Sequence, residues 1–324
     1  MGVPTVVPVV ESLAGDPTLT GEKAANLARV ASEMPVPPGF CVTTEVYRTI
    51  VDEPAVREAI RALDGLDPDD TEAIETAGKR VRETILETPL AESVKHTITG
   101  ELAISGIEEA YAVRASPVSI SYPSVSFEGQ LDTILNVVGP NAVSETVKEC
   151  MASVFSTKAI VHRLERRIPH DAVACAVLVQ RMRYPDVSGV ARKVGGGRRI
   201  ETTAFYGLDT WDDPDAVAMD VLRVDAATGE VRSYEVGEKQ QAVYPAAGGG
   251  TETTAVDPER RDMRVLDDDD VSRLSNVVGR VFDVFDDSVA VEWCLDEDGV
   301  WVIGVVGREE RDARRRSGVG VTGA

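Results

Sequence analysis

Three reverse-turn signals in the second half of this chain, each set between short apolar runs of strand character, do most to limit its fold. Residues 176–181 and 188–193 flank Tyr184-Pro185-Asp186, and residues 219–224 and 231–236 flank Ala227-Thr228-Gly229. Residues 289–295 and 300–306 flank the third turn, Asp296 to Gly299. Paired runs of this kind predict antiparallel hairpins. The first half has a different rhythm. Ala24, Leu27, Ala28 and Ala31 recur at helical spacing within residues 20–32, with Thr20 as an N-cap candidate. Pro35-Val36-Pro37-Pro38-Gly39 must end that helix. A strand at 40–43 and a helix capped by Thr44 follow, then mostly helical residues 55–103, interrupted at Pro68 and Pro89. Residues 110–114 read as a buried strand ending at Arg114, residues 142–166 as a helix, and residues 267–285 as an amphipathic helix with four aspartates at its start, where the dipole favours negative charge. Helices mixed with antiparallel hairpins predict an α+β fold rather than alternating βαβ units. The expected division is an N-terminal lobe over residues 1–175, a β-rich lobe over 176–307, and a disordered tail over 308–324 carrying Arg314-Arg315-Arg316.

Charge excludes one class of partner. Fifty-five acidic residues against 34 basic ones give a net charge of −21, a field that repels phosphate backbones, so a nucleic acid is not expected to bind. Only seven of the basic residues are lysine, a balance that resembles proteins of salt-loving cells. No apolar run is long enough to span a bilayer, and residues 1–10 lack the basic start and cleavage site of a signal peptide, which predicts a cytoplasmic protein. The four cysteines (Cys41, Cys150, Cys175, Cys294) are scattered, with no metal-like spacing to His96, His162 or His170. They are expected to be small buried hydrophobes.

Five places can carry chemistry, each with a plainer structural alternative. Lys23, in Gly21-Glu22-Lys23-Ala24-Ala25-Asn26-Leu27, puts an ammonium at a helix start suited to phosphate, or is simply a solvated lysine. Arg114 offers a fork of donors at a strand end to a phosphate or carboxylate, or makes a structural salt bridge. The short loop Ser126-Phe127-Glu128-Gly129-Gln130 can bring backbone N–H groups to a phosphate, although it matches neither the Walker pattern nor GxGxxG. Gln180-Arg181-Met182 can meet an adenine edge as its strand leaves a sheet, or belong to the core. Glu292, an acid in an apolar strand, needs a metal, a base or solvent.

The order of these motifs is similar to the N-terminal nucleotide-binding region of the phosphoenolpyruvate synthase and pyruvate phosphate dikinase family. Gly21 to Leu27 with Pro35-Val36-Pro37-Pro38-Gly39-Phe40-Cys41-Val42-Thr43-Thr44 resembles its opening. Ala112-Val113-Arg114-Ala115-Ser116 and the segment from Pro123 to Thr133 resemble its second motif, Ala176 to Met182 with Val187-Ser188-Gly189-Val190 its third, and Val291-Glu292-Trp293 with Trp301-Val302-Ile303 its close. The likeness covers roughly residues 10 to 306 in order. It implies an ATP-grasp fold that holds Mg-ATP. By resemblance Lys23 and Arg114 contact ATP phosphates, Ser126 and Gly129 belong to the phosphate loop, Gln180, Arg181 and Met182 form the adenine-side hinge, and Glu292 is a magnesium ligand. Arg114 is on the same ground the catalytic candidate.

There are departures from the pattern. The family closes on Gln-x-Arg-Pro, where this chain has Gly304, Val306 and Gly307. Glu22 replaces a glycine, Ile120 and Ser121 replace an acidic pair, and the loop after Val190 shrinks to Lys193-Val194-Gly195-Gly196-Gly197. Neither the phosphohistidine domain nor the pyruvate-binding barrel is found in the sequence, and none of the three histidines has a Thr-x-His-like setting. Two functions follow as expectations. One is a phosphotransferase component passing phosphate from Mg-ATP to a small molecule or to a separate phosphohistidine or pyruvate-binding polypeptide. The other is a weakened nucleotide-binding or regulatory relative.

Overall fold

The computed structural model describes residues 2–118, 133–208, 218–285 and 289–307. Ser126, Gly129, Ile120, Ser121 and the 308–324 tail lie outside the described residues. The chain divides into two compact units, Met1–Ala28 with Pro38–Arg181, and Arg29–Pro37 with Met182–Ala324.

Along the chain, the elements of the first unit are β1 (Val6–Pro8), α1 (Pro17–Val30, whose last residues count with the second unit), β2 (Gly39–Val42), α2 (Thr44–Val51), α3 (Pro54–Arg61), α4 (Thr71–Glu87), α5 (Glu92–Ser105), β3 (Ala110–Val118), β4 (Thr133–Val138), α6 (Pro140–Ala152), α7 (Thr157–Arg166) and β5 (Ala174–Arg181). The strands form an antiparallel sheet in the order β1-β2-β5-β3-β4. Alternation along the strands sends Phe40, Val42, Tyr111, Val113, Val177 and Val179 to one face. There they join a core with Val46, Ile74, Val81, Ile98, Val147 and Phe155 of the helical layer. Burying each such side chain contributes roughly 1.5–3 kcal/mol. The other face is left to α1.

Tertiary pairing overrides local reading at several points. β3 does not stop at Arg114, because residues 115–118 keep their partners 174–177 on β5. α1 starts at Pro17, a residue pre-set for the first turn, and Thr20 is not a cap; its Oγ1 lies 2.7 Å from the Ala14 carbonyl and 2.9 Å from that of Asp16. The cap of α2 is Thr43 rather than Thr44. A boundary after residue 175 would cut β5, and the division falls after Arg181. All four cysteines are free thiols and buried.

The second unit holds β6 (Val187–Val194), β7 (Arg199–Tyr206), β8 (Asp220–Asp225), β9 (Val231–Glu235), β10 (Gln241–Pro245), β11 (Thr251–Ala255), α8 (Asp268–Phe285), β12 (Val289–Asp296) and β13 (Gly299–Gly307). Six of its strands form an antiparallel sheet in the order β13-β12-β6-β7-β8-β9, and β10 pairs with β11 alone. The expected hairpins at 219–236 and 289–306 are present as β8–β9 and β12–β13. Gly299 turns the second of these at φ 121°, a conformation that disfavours other residues. The expected hairpin around Tyr184-Pro185-Asp186 does not form. Both edges of β5 are taken by β2 and β3, and both edges of β6 by β12 and β7, so the two runs belong to different sheets. α8 packs against β12 and β13, burying Leu274, Val278, Val281 and Phe282. Asp267 accepts the Asp270 N–H at 2.8 Å at its start.

Candidate nucleotide site

In the first unit the sheet face turned away from the helical core carries the candidates. Opposite residues in register share a face, and Ala112, Arg114 and Ser116 of β3 lie opposite Gln180, Leu178 and Ala176 of β5. Arg114 is partly exposed, near the middle of its strand. α1 is tied to this face by the Cys41 thiol, 3.4 Å from the Thr20 carbonyl, and by Thr44 Oγ1, which donates to the Thr18 carbonyl at 3.1 Å. Gly21 breaks the helix at φ 72° and ψ 166°, and any Cβ there would overlap Ser116. A fresh helical run therefore starts against the sheet with Lys23 in its first turn, where the dipole end is positive. Lys23 Nζ donates to the Ala115 carbonyl at 2.7 Å, which holds the ammonium beside Arg114 and Ser116 along the chain.

Ser116 Oγ and Gln180 Nε2 are buried on this face without a hydrogen-bond partner among the described residues. Gln180 is 2% exposed and Ser116 fully buried. Native interiors rarely leave such groups unsatisfied, so each calls for a ligand or water. Arg181 goes the other way: it alternates to the core face, pairs with Glu109 at 2.9 Å, and its N–H bonds the Pro38 carbonyl at 2.8 Å. Met182 is buried and begins the second unit. The triplet is thus split, with Gln180 alone on the face of Arg114.

In the second unit Glu292 is 3% exposed, in register with Val190 of β6 and Gly304 of β13. A bulge at this point leaves Ile303 without a facing residue. Gly304 lies directly under the Glu292 carboxylate: a Cβ on it would overlap Oε2 and come 3.0 Å from Cδ. Val306 packs with Val190 and Ala290 in a small apolar cluster. Gly304 and Val306, two of the positions that depart from the family close, are thus filled from within, one by the glutamate itself and one by packing. Among the described residues no group of three His, Cys, Asp or Glu side chains forms a metal cage.

Sequence reading missed Ser116 as an orphan and missed a charged row in the second sheet. Arg192 of β6, Glu201 of β7 and Arg223 of β8 are consecutive partners in register. Glu201 Oε1 accepts Arg192 Nε at 3.0 Å and Nη2 at 2.6 Å, its Oε2 accepts Arg223 Nε at 2.7 Å, and Arg223 reaches Glu235 at 2.8 Å. Burial pushes the Glu201 carboxyl up, but the bonds and charges of the two arginines outweigh it and hold the group below the usual range. No local motif signals this row, because its members lie on three strands.

Cationic groups at a helix start and on an adjacent strand, with unsatisfied buried donors beside them, have the chemistry of a phosphate-bearing ligand site. The profile of the pyruvate phosphate dikinase AMP/ATP-binding domain matches residues 18–316, and the chain belongs to that family. It is 37% identical over 290 residues to a rifampicin phosphotransferase of a Streptomyces species, covering 87% of this chain and 33% of that protein. A probable phosphoenolpyruvate synthase of Methanothermobacter thermautotrophicus is 30% identical over 298 residues, covering 89% of this chain and 43% of the relative. The chain thus spans about a third of the length of the rifampicin phosphotransferases it matches. No helix among the described residues is long and apolar enough to cross a membrane.

Proposed function

We propose that this chain is the Mg-ATP-binding part of an ATP-grasp phosphotransferase. On this reading Lys23 and Arg114 contact the ATP phosphates, Gln180 and Met182 lie on the adenine side, and Arg181 enters through its backbone. Phosphate goes to a small molecule or to a phosphohistidine or pyruvate-binding segment outside residues 1–324. The observation that carries the reading is the shared face of Lys23, Arg114 and the unsatisfied Gln180 amide. Phosphoryl transfer depends on positioning and charge neutralisation more than on covalent chemistry, which suits this set. Glu292 would hold magnesium. One buried carboxylate fits an ion that takes one or two protein carboxylates and completes its shell with phosphate and water.

The test is calorimetric titration of the chain with Mg-ATP. Lys23→Ala and Arg114→Ala should each weaken binding by about 1–3 kcal/mol, the range for charge-assisted bonds. Unchanged affinity in both variants, with folding intact, refutes the assignment. A second reading, nucleotide binding with little turnover, is favoured by Gly304 lying under Glu292 and by Val306 in its apolar cluster.

A further inference from the structure

Met182 opens the second unit, and residues 182–185 have neither a strand ladder nor a helix to hold them. A main-chain segment that is to meet the edge of a base needs a fixed place, because a hydrogen bond weakens steeply as its angle drifts. Arg183 supplies an anchor within the second unit. Its Nε donates to Asp296 Oδ2 at 2.6 Å, its Nη2 donates to Asp298 Oδ2, and the guanidinium lies over the Trp301 ring, 4.2 Å from the centroid. The Arg183 side chain is 17% exposed and that of Asp296 6%. A fork that bonds two carboxylates while stacking on an aromatic face is a task that lysine cannot repeat.

The receiving end is itself braced. Asp296 Oδ1 accepts the Asp298 N–H at 3.0 Å and Trp301 Nε1 at 3.1 Å, so the partners of Arg183 are bonded to one another across the β12–β13 turn. Further along, the Asp186 N–H donates to the Leu295 carbonyl at 3.0 Å, and the Asp186 carbonyl accepts the Gly207 N–H at 2.9 Å. The segment is thus tied by a side chain at 183 and by its main chain at 186. Met182 is the residue next to the first tie.

We propose that Arg183 is a positioning residue that holds the Met182 main chain for the adenine edge of the nucleotide and thereby sets a preference for adenine over guanine. The inference rests on the Mg-ATP reading above and deepens it. Adenine carries an amino donor where guanine carries a carbonyl acceptor. A main-chain group fixed in place suits one of them and meets its like on the other. A loosened segment bonds neither base well, so the preference shrinks.

The test compares ATP with GTP by calorimetry on the full chain with magnesium present. Wild type should bind ATP more tightly. Arg183→Ala should weaken ATP by about fivefold, the worth of one hydrogen bond, and GTP by less than about twofold, so that the ratio of the two affinities narrows. Thermal melting of the variant reports whether the sheet is intact. If Arg183→Ala does not fold, Arg183→Lys, which keeps the charge and loses the fork, is read by the same criteria. An unchanged ratio in a folded variant, through equal losses or none, overturns the proposal and leaves the ion pairs as cohesion of the β12–β13 turn. Equal affinity of the wild-type chain for ATP and GTP overturns it as well, while the Mg-ATP reading stands. Failure of the wild-type chain to bind either nucleotide overturns that reading and this proposal with it.

Discussion

Replacing Asp220 with alanine should cost the protein more stability than any change at the candidate site. Asp220 is fully buried and accepts four bonds: from Lys239 Nζ at 2.5 Å, the Tyr234 hydroxyl at 2.8 Å, Val265 N at 2.9 Å and Gly237 N at 3.0 Å. Lys239 is itself 1% exposed. Removing the carboxylate leaves a buried ammonium whose hydrogen-bond acceptor among the described residues is the Gly237 carbonyl at 2.7 Å. Breaking one partner of a buried ion pair costs about 3–5 kcal/mol. At roughly 2–4 °C per kcal/mol for a cooperative unit of this size, the melting midpoint should fall by about 6–20 °C. Urea unfolding followed by circular dichroism measures the loss. Lys239→Met in the Asp220→Ala background removes the stranded charge and should recover part of it, because the two residues are coupled. A loss below about 1 kcal/mol in the single variant, or no recovery in the double one, refutes the reasoning.

The remaining predictions concern pH and turnover. His170 accepts from Arg163 Nε at 2.9 Å, and burial, followed by the Arg163 charge, lowers its pKa to about 4. The unfolded chain takes up that proton near the ordinary 6.5, so stability should be whole above it, fall as pH drops from 6.5 toward 4, and level off below. His170→Asn, which keeps an acceptor for Arg163, should flatten that fall in thermal melts across the window; an unchanged slope would count against it. Phosphate release from saturating Mg-ATP should be well below the roughly 1–100 per second of a competent kinase, and Gly304→Gln with Val306→Arg should raise it. Because a Cβ at 304 overlaps Glu292 Oε2, the gain requires that carboxylate to swing aside. A wild-type rate in the kinase range would defeat the turnover prediction.

Patterns within a few residues fixed a good deal of this protein. Hydrophobic periodicity located α8, and Asp296 to Gly299 marked a turn that only glycine completes easily; the single helix expected over residues 142–166 is instead broken at Ser153–Phe155 into α6 and α7. The order of the motifs around Lys23, Arg114, Gln180 and Glu292 was enough to indicate the family, since a ligand site recurs as short sequences even when its parts are far apart in the chain. What pairs with what was decided elsewhere. A strand reads the same whether its neighbour is the next run or one a hundred residues away, so residues 176–181 and 188–193 looked like a hairpin yet went to separate sheets. Register likewise assigned the faces, placing Gln180 with Arg114 and sending Arg181 toward Glu109. It also assembled Arg192, Glu201 and Arg223 from three strands and laid Glu292 over Gly304. Side chains alternate with a period of two, so a shift of one residue in pairing would reverse every one of these assignments; only the packed sheets, each with one face committed to a core, could choose between them.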